Sequence, residues 1–261
     1  MTTPDPTSAE LARRLYDAAR TGALVDQLTA QVPDLTPAAA AAIQDELVAL
    51  HVADGATIVG AKLGLTSRAK QVEMNVHEPI HGWLTDRMVL EPGEPFVVAS
   101  LGQPRMEPEI GFLLGRDLEG RGVTAVHVLA ATEAVFPALD VLDSRYRDYR
   151  FTLADVVADN ASAGRFVVGG LVTPVGFDLA DVGCVFEHNG EVVATAAGAA
   201  VLGNPARAVA WLVRRLAVSG RGLRAGQLVL SGGLTAVVRV APGDVVTATF
   251  DRLGAVSVAC R

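Results

Sequence analysis

The chain has only two cysteines, Cys184 and Cys260, in 261 residues. Neither has metal-site spacing, and no secretory signal precedes them, so the expectation is a reduced, cytoplasmic protein in which both are small core residues rather than nucleophiles. The five histidines, His51, His77, His81, His127 and His188, show no His-x-His or His-Glu-x-x-His pattern, which argues against a histidine-based metal centre. There is no Gly-x-Ser-x-Gly elbow, no Gly-x-x-x-x-Gly-Lys loop and no dinucleotide fingerprint, so several common hydrolase, nucleotide and dehydrogenase classes fall away. Long apolar runs are missing too: the stretch 38–43 is cut at once by Gln44, Asp45 and Glu46, so no membrane span is expected. Nor is there a positive excess. A net charge of −7 argues against nucleic acid or an anionic membrane as the main partner, while an anionic substrate stays open because a bound cation can reverse the local sign.

What remains is an ordinary globular composition, with 50% apolar and 20% charged residues, in a chain long enough for one large domain or two small ones. Residues 1–55 read as helical. Ser8 is a candidate N-cap ahead of an apolar face formed by Leu11, Leu15 and Ala18. Thr36 and Pro37 mark a second helix start, with five alanines following and Asp54-Gly55 closing it. These helices suggest an N-terminal subdomain or an arm against a neighbouring subunit. From Ile58 onward short apolar runs alternate with Gly and Pro. Ile58-Val59-Gly60, Phe96-Val97-Val98, Phe166-Val167-Val168, Val192-Val193, Leu228-Val229-Leu230 and Val245-Val246-Thr247 read as strands. Two helices are expected among them, over 124–135 and 205–218, the latter with Val209, Leu212, Val213 and Leu216 as its apolar stripe. No solenoid-type repeat is present. The pattern is α+β, strand-rich, without the regular alternation of a doubly wound sheet.

Three acids stand out in apolar surroundings. Glu107 and Glu109 are two apart, so in a strand both carboxylates share one face while Met106, Ile110 and Phe112 point the other way. A solvent-facing strand edge would explain an isolated Glu-x-Glu. Asp140 lies in the apolar run Pro137-Ala138-Leu139-Asp140-Val141, where an unpaired acid has no evident reason to be. Together the three could hold Mg²⁺ or Mn²⁺ with positions left for water. Lys62, in Ile58-Val59-Gly60-Ala61-Lys62-Leu63-Gly64-Leu65, either snorkels to water or serves a site. Asp159, Asn160 and Ser162 read as turn formers or as a substrate loop.

The set Gly60-Ala61-Lys62-Leu63-Gly64-Leu65-Thr66-Ser67, Glu107-Pro108-Glu109, Asp143-Ser144-Arg145 and Val157-Ala158-Asp159-Asn160-Ala161-Ser162 resembles the 2-oxopent-4-enoate hydratase and 4-oxalocrotonate decarboxylase family, within the fumarylacetoacetate hydrolase superfamily. The resemblance implies a mixed β-roll over residues 56–261 behind the helical region 1–55. It implies Mg²⁺ or Mn²⁺ held by Glu107, Glu109 and Asp140, with Lys62 as the catalytic residue and Leu63 and Ser162 on the substrate side. Asp140 stands where the family usually has Glu. Being one methylene shorter, it would ligate directly only with a small shift of metal or backbone, or else through a water. Ser67-Arg68-Ala69-Lys70, Pro79-Ile80-His81-Gly82, Asp143-Ser144-Arg145-Tyr146, Gly198-Ala199-Ala200-Val201-Leu202-Gly203 and Gly232-Gly233-Leu234-Thr235-Ala236 look closer to the decarboxylase branch. Hydratases of the family often carry Asp at the position of Ile80.

The activity implied is decarboxylation of 2-oxohex-3-enedioate in meta-cleavage catabolism of aromatics, by a divalent-metal-dependent carbon–carbon lyase. The alternatives are a hydratase making 4-hydroxy-2-oxopentanoate and a non-catalytic partner subunit. The expected partners are a small 2-oxo acid, further copies of the chain in a homo-oligomer, and a partner hydratase.

Overall fold

The structure is a computed structural model describing residues 6–73, 75–170 and 173–261; residues 1–5 of the expected helical region lie outside it. Helix α1 (Ser8–Thr21) starts one residue earlier than Ser8 alone suggests, because Thr7 is the N-cap: its hydroxyl accepts from the Glu10 N–H and the Glu10 side chain answers the Thr7 N–H. That reciprocal box satisfies two otherwise orphaned donors. After the short α2 (Leu28–Gln31), α3 (Pro37–Ala53) begins as the Thr36-Pro37 signal requires, with the Thr36 hydroxyl accepting from Ala39.

The strand-rich part then runs through β1 (Ile58–Gly64), α4 (Arg68–Glu73), β2 (Ile80–Thr85), β3 (Arg105–Leu114), α5 (Ala125–Ala131), β4 (Thr132–Leu142), α6 (Leu153–Ala158) and β5 (Ala163–Val168). It continues through β6 (Gly183–His188), β7 (Glu191–Ala197), α7 (Pro205–Leu216), β8 (Leu228–Leu230), β9 (Val238–Arg239), β10 (Val245–Phe250) and β11 (Gly254–Ala259). Seven strands form a mixed sheet in the order β2-β1-β8-β3-β4-β5, with β9 pairing β3; β1 and β8 are parallel, the other pairs antiparallel. A second sheet, β11-β10-β6-β7, packs on β4. The α+β reading and the strand-rich texture stand.

Three local expectations change. The helix expected over 124–135 ends at Ala131, and Thr132 opens a strand without a Gly or Pro between them. Thr132, Ala134 and Val135 pair with β3 instead of completing another helical turn. Phe96-Val97-Val98 is no strand: Phe96 makes one bridge to Cys260, and a 3-10 turn follows at Val98–Ser100. Helices α4 and α6 join the two expected inside the strand region.

The main core gathers Met106, Ile110 and Phe112 from β3 with Val209, Leu212, Val213 and Leu216 from α7, so the expected helix stripe is the buried one. A second core joins Leu11, Leu15, Ile43 and Leu47 of the N-terminal helices to Tyr146, Ala154 and Ala158. The N-terminal helices therefore pack against α6 of their own chain, which leads directly into the site. Both cysteines are buried and free.

Candidate active site

Register builds the acidic trio. Glu107 and Glu109 share one face of β3, and in the antiparallel ladder Asp140 of β4 sits directly opposite Glu107. Cross-strand partners project on the same side, with Cβ atoms about 5 Å apart. One carboxylate oxygen from each of the three lies within 4.8 Å of the others, the one such cluster among the described residues. Asp140 thus reaches the group despite its shorter side chain. Both faces of β3 are covered, which removes the solvent-edge reading of Glu-x-Glu. Glu109 and Asp140 are 0% exposed and Glu107 3%.

Like charges placed directly opposite one another are destabilising, and burial makes them more so. Burial first, then the Asp140 and Glu107 charges, push the Glu109 carboxyl well above its usual range. Burial also raises Asp140, to about 6, against the pull of the Lys62 ammonium. Two lysines answer the charge. Lys62, 1% exposed on β1, ion-pairs with Asp140 Oδ2 and donates to the Ala161 carbonyl at 3.2 Å. Lys70, on α4, contacts Glu107 Oε2 at 2.5 Å. Three carboxylates against two ammonium groups leave the cluster one negative charge in excess if all are ionised.

Several polar atoms there remain without hydrogen-bond partners, among them Glu109 Oε1, Asp140 Oδ1, Thr66 Oγ1, Ser162 Oγ and Ser231 Oγ. Buried polar groups are normally satisfied, so orphans gathered in one place point to a ligand. Oxygen-only donors, excess negative charge and unpaired carboxylate oxygens fit a hard divalent cation such as Mg²⁺ or Mn²⁺. The loop after β8 closes around the acids. The Gly232 N–H donates to Glu109 Oε2 at 2.6 Å, and a Cβ on Gly233 would lie 2.1 Å from Glu107 Oε2. Only glycine leaves room for the carboxylate there.

Above the trio lies a cavity of about 710 Å³, lined by Lys62, Arg68, Lys70, Ile80, Arg105, Glu107, Tyr149 and Ser162 among others. Ser162 ends a turn in which Asn160, Ala161 and Ser162 have φ of 51°, 52° and 54°. Three successive non-glycine residues in the left-handed region need strong support. Asn160 holds the turn to β2, accepting from the Trp83 N–H and donating to its carbonyl, while Gln44 of α3 donates to Asn160 and to the His81 carbonyl. Arg145 grips Asp159 and also donates to the Asp159 and Ala163 carbonyls. The polar stretch is both turn and cavity wall.

Leu63 is the exception among the expected site residues. Alternate strand residues face opposite ways, so the position of Lys62 sends the Leu63 side chain into the main core rather than the cavity. Lys70, Arg105 and Gly232 join the site without being among the residues the sequence marks for it. Arg105 had a readable signal, being two before Glu107 on the same strand face. Lys70 and Gly232 come from segments that only the fold brings to β3.

Residues 55–259 match the model for the fumarylacetoacetate (FAA) hydrolase C-terminal region. The chain belongs to the fumarylacetoacetate hydrolase family. Within the family it is 44% identical to a 4-oxalocrotonate decarboxylase of Pseudomonas sp. (strain CF600), over 89% of each chain. It is 42% identical to a 2-keto-4-pentenoate hydratase of Paraburkholderia xenovorans (strain LB400), over 95% of this chain and 92% of that one. Among solved structures, the 4-oxalocrotonate decarboxylase from Pseudomonas putida G7, complexed with magnesium and adipate, superposes with a TM-score of 0.96 at 39% identity, covering 100% of this chain and 99% of that one. The curled mixed sheet of this family is the fold expected from the motifs. Among the described residues, no helix is long and apolar enough to cross a membrane.

Proposed function

We propose that the chain is a divalent-metal-dependent decarboxylase that converts 2-oxohex-3-enedioate (4-oxalocrotonate) to 2-hydroxypenta-2,4-dienoate and CO₂ in meta-cleavage aromatic catabolism. The observation that carries this choice is Ile80. It lines the cavity at the end of β2 opposite Gly64, so the wall where hydratases of the family often carry Asp offers no group to activate water. The likenesses to a decarboxylase and a hydratase are too even to decide alone.

Glu107, Glu109 and Asp140 are the residues that would hold the metal, Asp140 also staying within reach of Lys62. Bound there, Mg²⁺ or Mn²⁺ supplies a Lewis acid for the 2-oxo oxygen as negative charge develops on it. The C5–C6 bond breaks, its electron pair becomes the C4–C5 double bond, and the displaced pairs move through C2–C3 to the C2 oxygen. Lys62 Nζ, which reaches Asp140 and the Ala161 carbonyl, would give that oxygen its proton. Ser162 Oγ, free of protein partners, orients the substrate by hydrogen bonding, and the Asn160 and Arg145 contacts keep it in position. Leu63 has only its main chain to offer. No organic cofactor is required, because the conjugated ketone is the electron sink.

Purified protein with Mg²⁺ should release CO₂ from 2-oxohex-3-enedioate as dienol absorbance appears. No CO₂ would end the decarboxylase reading. Loss of 2-hydroxypenta-2,4-dienoate absorbance without CO₂ would establish the hydratase alternative. Absence of metal-dependent substrate binding would leave the non-catalytic subunit.

A further inference from the structure

Two of the cations lining the cavity, Arg68 and Arg105, enter no ion pair among the described residues, and of these only Arg105 is partly buried. Arg105 opens β3, two residues before Glu107 and on its face. Its guanidinium carbon lies 3.6 Å from the centre of the Tyr149 ring, and both residues line the cavity. None of the ion pairs among the described residues includes Arg105. Its cross-strand neighbour on β9 is Arg239, a second positive charge. A guanidinium stacked on a ring keeps its N–H edge available for planar, two-pronged recognition of a carboxylate. Lys70 is already engaged by Glu107 and Arg68 is exposed on α4, which leaves Arg105 as the partly buried donor.

The support beneath Arg105 is strained in a directed way. Asp148 and Tyr149 have φ of 58° and 57°, and Tyr149 donates its hydroxyl to the Leu142 carbonyl at 3.1 Å. Non-glycine residues in this region each cost on the order of 1–3 kcal/mol and persist where the surroundings hold them. Here the result is a fixed aromatic platform under one guanidinium. The backbone spacing between Arg105 and Glu107 is also of the order of a ligand's length. Two residues of strand advance about 7 Å, and the five carbon–carbon bonds of an extended six-carbon diacid advance about 6 Å between its terminal carbons.

We propose that Arg105, held on Tyr149, is the specificity-determining residue that receives the second carboxylate of a diacid substrate, the first being taken at the acidic trio. This rests on the reading of the site as one for 2-oxo acids. A five-carbon monoacid such as a hydratase substrate has no charge at that distance. Because CO₂ is neutral, holding the departing carboxylate favours the bound substrate rather than the transition state. Arg105 therefore acts in recognition, not in the bond-breaking step.

The test is calorimetric binding of 2-oxoadipate and of 2-oxohexanoate, saturated and so inert to this chemistry, to Mg²⁺-loaded protein. Wild type should bind the diacid at least about tenfold more tightly. Arg105→Met should bring the two within about twofold by weakening the diacid alone, and Arg105→Lys should recover part of the preference. Arg105→Gln gives the same comparison if the Met variant does not fold. A preference that survives in the variants overturns the proposal. So does equal binding of both acids by wild type, which leaves the 2-oxo acid reading standing. Binding of neither removes both.

Discussion

Two clusters of buried opposite charge lie within the same fold and are finished differently. Arg145 and Asp159 form a closed set: the guanidinium grips the carboxylate, the Asp159 and Ala163 carbonyls take its remaining nitrogens, and the Asp159 carboxylate also accepts from the Arg145 N–H. Glu107, Glu109 and Asp140 with Lys62 and Lys70 form an open one, with an acid in excess and carboxylate oxygens unpaired. Burial alone does not separate them, since Asp159, Glu109 and Asp140 are all 0% exposed. Satisfaction does. A closed cluster holds a shape, here the left-handed turn that presents Ser162. An open one is incomplete without a ligand.

Mutations should divide along the same line. The largest effect is expected from Glu109→Gln or Glu107→Gln: metal-dependent turnover should fall by about 10³-fold or more, some 4 kcal/mol of transition-state stabilisation. The metal-free Glu109→Gln protein should melt no lower than wild type, because Glu109 has no ion-pair partner among the described residues to strand and its burial beside Glu107 and Asp140 is unfavourable. Wild-type rates would sink the assignment. Arg145→Met should do the reverse, lowering stability by about 3–5 kcal/mol in denaturant titrations because it strands the Asp159 carboxylate. An unchanged midpoint would mean that the closed cluster holds nothing. Lys62→Met should slow turnover by about 10²–10⁴-fold, as expected for loss of a proton donor, while the protein still binds Mn²⁺. Equal loss of both functions would merge lysine and metal roles.

The smallest expected effect is on pH dependence. Asp140 is raised to about 6 from its ordinary 3.8, so in the metal-free protein the folded state binds the proton more readily than the unfolded one. Its contribution to stability is therefore full below about pH 4 and lost as pH rises through about 6. Metal binding needs the ionised trio, so added Mg²⁺ should raise the melting temperature more at pH 8 than at pH 5. An equal rise at both would contradict it.

The parts of this contrast were unequally legible in the sequence. Thr36-Pro37 and the alternation around Glu107 are local signals, and both survived folding. Asp140 could be picked out as an acid in an apolar run, but its place opposite Glu107 depends on strand register. The helix expected over 124–135 runs past Thr132 because alanine and valine continue across the junction with nothing to break them. The family motif implies Leu63 on the substrate side, and strand parity turns its side chain away. Lys70 and Arg145 meet their acids across 37 and 14 residues, and no periodicity encodes such encounters.

Titration with Mn²⁺ of wild type, Glu109→Gln and a still-folded Arg145→Met protein tests the open-against-closed distinction most directly. The expected result is one Mn²⁺ per chain in wild type, loss of that binding in Glu109→Gln, and its retention in Arg145→Met. Undiminished Mn²⁺ affinity in Glu109→Gln would contradict a metal site at the acidic trio.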